Sequence, residues 1–117
     1  MDISQILETA PAKIYSYATE EIKFYKEQIN LHEEYKRLRA KVGLELKAKG
    51  TSLKEIDWIL DNEEDLIELK SREMSAEINY KEQKALKDRA VNYLQVALES
   101  GRSLRAEMRA GLDTVKE

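Results

Sequence analysis

Few side chains in this 117-residue sequence have the types and spacing that chemistry needs. His32 is the single imidazole, and there is no cysteine. A general base or a metal ligand at His32 would need company, yet no second His exists and no Glu-x-x-His spacing occurs. The adjacent acids Glu20-Glu21, Glu33-Glu34 and Glu63-Glu64 are the other candidates for acid/base or divalent-cation work. Neighbours on a helix point about 100° apart, so such pairs do not share a site and read as solvated faces. No nucleophile elbow, phosphate-binding glycine loop or Ser/His/Asp set is present. The expectation is a non-enzyme with no catalytic residue, no metal and no cofactor. His32 reads as a half-buried histidine on the ridge of Ile22, Tyr25 and Ile29.

The basic residues are a stronger signal. Residues 36–49 hold Lys36, Arg37, Arg39, Lys41, Lys47 and Lys49 against one acid, Glu45, a local net charge of +5. Residues 51–70 reverse the sign, with seven acids against Lys54 and Lys70 for a net −5. The total of −3 is therefore a cancellation of two opposed blocks. Clustered cations are suited to tracking a phosphate backbone, and Tyr35 beside them offers a ring for base stacking. Arg102, Arg105 and Arg109 recur at steps of three and four, offset only by Glu107. All nine cations are candidate nucleic-acid contacts, and the acidic block is a candidate protein-docking surface.

Long helices must position these groups. One proline and four glycines leave little turn chemistry, which excludes a compact all-β fold, and charged residues reach 37%. Pro11 suits a first helical position, so a long helix is expected over 11–49, with Gly43 a candidate bend and Gly50 as its left-handed end. Ser52 and Glu55 have capping-box spacing, which starts a short helix over 53–60 with Ile56, Ile59 and Leu60 on its apolar side. A second long helix is expected over 63–100, then a break at Ser100-Gly101 and a further helical segment over 102–112 bearing Leu104, Met108 and Leu112. The fold class is thus all-α, a single domain built as an elongated hairpin of two long helices with a short connecting helix.

Such a hairpin buries little core per residue, and eight large aromatic rings are too many for one seam. Self-association is the expected remedy, with Ile22, Tyr25, Ile29, Tyr93, Leu94, Leu98, Leu104 and Met108 as the interface. No long apolar run and no signal-peptide pattern is present, so the expectation is a cytoplasmic protein with no membrane attachment.

Phe24-Tyr25, His32, and a basic stretch closing in Leu46-Lys47-Ala48-Lys49 and Gly50 together resemble the UvsY-like phage recombination mediator family. The stretch from Met74 to Lys87, the aromatic-aliphatic segment near Tyr93 to Leu98, and Gly101-Arg102 through Met108-Arg109 are also similar. The resemblance covers about 25–49 and 74–109. It implies a helical homo-oligomer, a heptameric ring in that family, acting in a phage-infected bacterial host in DNA recombination and repair. The family binds single-stranded DNA and helps load a RecA-like recombinase onto strand covered by single-strand-binding protein. Lys47 and Lys49 take the places of the Lys and Arg in the family's DNA-binding motif. The rival expectation is a non-enzymatic helical phage adaptor or inhibitor that docks on a host protein without nucleic acid.

Overall fold

A computed structural model describes the backbone of residues 2–116 and the side chains of residues 2–111. It is all-α: helix α1 spans Ile3–Ala48, α2 spans Leu53–Asp61 and α3 spans Glu64–Lys116, and no strand occurs among the described residues. Two long helices joined by a short one is the arrangement expected. The chain divides into two compact units, residues 20–82 and residues 1–19 with 83–117.

The joints of the first unit follow local rules. Gly50 takes φ +81°, its N–H donates to the Lys47 carbonyl at 3.0 Å, and the Thr51 N–H donates to the Leu46 carbonyl at 3.1 Å. Those two bonds close a Schellman motif around the left-handed residue expected there. Ser52 then caps α2, its hydroxyl accepting from the Glu55 N–H at 3.3 Å. Asn62 ends α2, and the acids Glu64 and Asp65 occupy the first turn of α3, where negative charge meets the positive end of the helix dipole. Ile56, Leu60 and Leu66 form the buried cluster at this joint, with Tyr35, Leu38, Val42 and Leu46 packed against it. Farther along the unit, His32 meets Glu73 and Tyr25 meets Tyr80, so the α1 number falls as the α3 number rises and the helices run antiparallel.

The second unit packs the first turns of α1 against α3 through small residues. Ala10, Ala90 and Ala97 are buried here, whereas Tyr93, Val96 and Leu98 stay exposed. From residue 102 onward every described side chain of α3 is exposed.

Three boundaries differ from expectation. α1 begins at Ile3 rather than at 11, and Pro11 lies inside it. The reason is a cap not read from the sequence: the Gln5 N–H donates to Asp2 Oδ1 at 2.8 Å and the Asp2 N–H to Gln5 Oε1 at 3.4 Å. This reciprocal pair, with Ala10 buried, outweighs the one hydrogen bond that Pro11 removes. Gly43 makes no break either; a Cβ there would sit 3.8 Å from Leu60 Cδ1, so the glycine lies beneath α2. Ser100-Gly101 does not interrupt α3, and residues 102–112 continue the same helix. The Leu112 side chain lies outside the described residues.

Candidate nucleic-acid interface

Four cations of the basic block share one side of α1. Taking 100° per residue, Lys36, Arg37, Lys41 and Lys47 fall within roughly 140° of arc, centred opposite the Leu38, Val42 and Leu46 ridge. All four are exposed, as is Lys49 in the turn that follows. Leu44 lies in the middle of that arc and is 67% exposed, an apolar patch inside the basic stripe. Lys47 also stands in the last turn of α1, where a cation complements the carbonyl end of the helix. Lys36 approaches Glu33 only at 4.0 Å, between two exposed side chains, and such a pair contributes little.

Two neighbours of the stripe are committed elsewhere. Arg39 points round the helix toward the acidic elbow, with Nη1 3.5 Å from Asp61 Oδ1 and 3.5 Å from the Tyr35 hydroxyl. It joins the two charge blocks instead of extending the basic face. Tyr35 packs on the buried cluster of Ile56, Leu60 and Leu66, and Lys70 Nζ stands 5.2 Å from its ring centroid. That packing takes Tyr35 out of the role of a base-stacking platform. Its residue type suggested stacking, but its helical phase, shared with Leu38 and Val42, places it inside.

Arg102, Arg105 and Arg109 lie in the other unit, all exposed and with no ion pair among the described residues. They form a separate basic ridge on α3, flanked by exposed Leu104 and Met108.

His32 is half-buried, as expected, and its Nδ1 lies 2.9 Å from Glu73 Oε1 without aligning as a hydrogen bond. Lys70 Nζ lies 3.5 Å from the other Glu73 oxygen. Tyr25, Gln28, Ile29, His32, Glu33 and Glu73 line an open groove of about 440 Å³. One imidazole beside one carboxylate does not make a cation site. Among the described residues no group of three or more His, Cys, Asp or Glu is placed to hold a metal ion.

The apolar residues expected at an interface divide. Ile22, Tyr25 and Ile29 in one unit, and Tyr93, Leu98, Leu104 and Met108 in the other, are exposed to solvent. Leu94 is the exception: it continues the buried Ala90 and Ala97 ridge and is partly covered within its own unit. Sequence periodicity could not tell which of two adjacent ridges on α3 would face inward, because both carry apolar residues.

No described helix is long and apolar enough to cross a membrane. No protein-family model matches the chain, and comparisons with curated proteins and with solved structures find no match for it.

Proposed function

We propose that this protein binds single-stranded DNA through the outward stripe of Lys36, Arg37, Lys41, Lys47 and Lys49, and acts as a self-associating recombination accessory protein. The observation that carries this reading is the stripe itself: four cations on one face of a helix, with a fifth in the following turn, while the block's remaining cation, Arg39, reaches round the helix to the exposed Asp61. The resemblance to UvsY-like mediators, with Lys47 and Lys49 at the motif's basic positions, supports the rest. In that role the protein helps a RecA-like recombinase displace single-strand-binding protein from the strand, with no chemical step of its own.

The stripe would hold phosphates by charge, with Leu44 available for apolar contact with a base or sugar. Five cations imply a salt slope of at most about −3.5 per copy on single strands, so one copy grips weakly. Repeating the stripe around an oligomer multiplies that modest affinity without new contacts. The acids of residues 55–68 repel phosphate and are left for protein contacts.

Fluorescence anisotropy with a labelled oligonucleotide at about 50 and 200 mM salt tests the reading. Full engagement of one copy's stripe predicts an affinity drop on the order of a hundredfold between those conditions. Lys47→Ala with Lys49→Ala should weaken binding and flatten the salt slope. Absence of binding at low salt, or a double variant that binds unchanged, rejects it.

A further inference from the structure

The acidic elbow carries an exposed aromatic that the fold does not use. Trp58 is the single tryptophan of the chain and is 68% exposed. On α2 it stands about 160–200° from Ile56 and Leu60, the two residues buried beneath the helix. Together with Lys54, Glu55 and Ile59 it lines an open groove of about 340 Å³. Glu55 and Asp57 flank it in α2, and Glu64, Asp65 and Glu68 follow in sequence in the first turns of α3. None of these five acids forms an ion pair among the described residues. An occupant of this groove must bring an apolar ridge together with positive charge.

One segment of the same chain has that composition. At residues 102–109, Leu104 and Met108 form an i, i+4 apolar pair, and Arg102, Arg105 and Arg109 form the adjoining ridge. All five are exposed, as is every described side chain of α3 from residue 102 onward. Leu and Met at that spacing suit a helix laid into a shallow apolar groove. Arginine also stacks on indole more readily than lysine does.

We infer that residues 102–109 of one copy dock on the α2 elbow of a second copy, Leu104 and Met108 covering Trp58 and Ile59 while the arginines meet Glu55, Asp57 and their neighbours. The inference rests on the self-association part of the proposed function and assigns its contact surfaces. It moves Arg102, Arg105 and Arg109 from the DNA-contact set to the subunit interface and leaves the strand to the stripe on α1. The donor and acceptor surfaces differ, so each copy gives one contact and receives one. Such a heterologous contact generates a closed ring or an open chain, not a two-fold dimer.

Trp58 reports the contact directly. Its emission is followed against concentration of the full chain without DNA, alongside mass by light scattering. Docking predicts a shift to shorter wavelength as concentration rises, in step with the mass. Arg102→Glu, Arg105→Glu and Arg109→Glu together should remove both changes while leaving helical circular dichroism intact, because these side chains are exposed. Adding Glu55→Arg and Asp57→Arg to that triple variant should restore association at least in part. Emission that does not depend on concentration overturns the inference, whether Trp58 is unoccupied, covered within its own chain, or reserved for a different protein. Association that persists unchanged in the triple variant also overturns it. Oligonucleotide binding is measured separately through Lys47 and Lys49, so loss of one result does not mimic loss of the other.

Discussion

The two units close the same pair of helices in different ways. Residues 20–82 pack large side chains at the elbow, Leu66 at 2% exposure beneath Ile56 and Leu60, with Tyr35, Leu38, Val42 and Leu46 around them. The other unit uses alanines, with Ala97 at 2% exposure, and leaves Tyr93 at 59%. Small side chains let helices approach closely but bury little area per residue. The first unit therefore buries large apolar side chains at its elbow while the second buries alanines, and both hold other large apolar residues out where another molecule can cover them, Ile22, Tyr25 and Trp58 in the first and Tyr93, Leu98 and Met108 in the second.

Substitutions can break or sharpen that contrast. The largest loss is expected from Leu66→Ala, about 2 to 5 kcal/mol by urea denaturation, because a buried leucine leaves both lost transfer energy and a cavity. Tyr93→Ala should change unfolding of the dissociated chain by less than about 0.5 kcal/mol; equal losses at the two positions would erase the contrast. Overpacking the alanine seam with Ala97→Leu should cost about 1 to 3 kcal/mol, since Ala97 is buried and a larger side chain there must displace its neighbours. Pro11→Ala should stabilise by up to about 3 kcal/mol by restoring a helical N–H, read as a raised melting temperature. At the glycines, Gly50→Ala should cost about 1 kcal/mol at its positive φ, whereas Gly43→Ala should gain up to about 1 kcal/mol by helix propensity, its new methyl in ordinary contact with Leu60.

What could be read in the sequence was local. Gly50 and Ser52 mark their helix ends because a left-handed residue and a hydroxyl cap act within a few residues of themselves. The helical periodicity of α1 likewise places Leu38 and Val42 inside. Pro11 and Gly101 misled because helix breakers were weighed without the packing around them: a cap at Asp2 and Gln5 begins α1 early, and Gly101 continues the partly buried ridge of Leu94 and Ala97. In the candidate interface, residue type suggested Tyr35 and Arg39, but helical phase assigned one to the core and the other to Asp61. The exposure of Trp58 follows from phase once the apolar side of α2 is set by Ile56 and Leu60, because position 58 then falls on the opposite face. What the sequence did not show is that nothing within the first unit covers the ring.

The central claim is that several copies together hold one single strand. Light-scattering mass of the protein with and without an unlabelled single-stranded oligonucleotide tests it most directly. The account predicts a multiple of 13.6 kDa for the protein alone and a gain of one oligonucleotide per assembly at low salt. A mass of one chain at micromolar concentration, unchanged by the oligonucleotide, would contradict it.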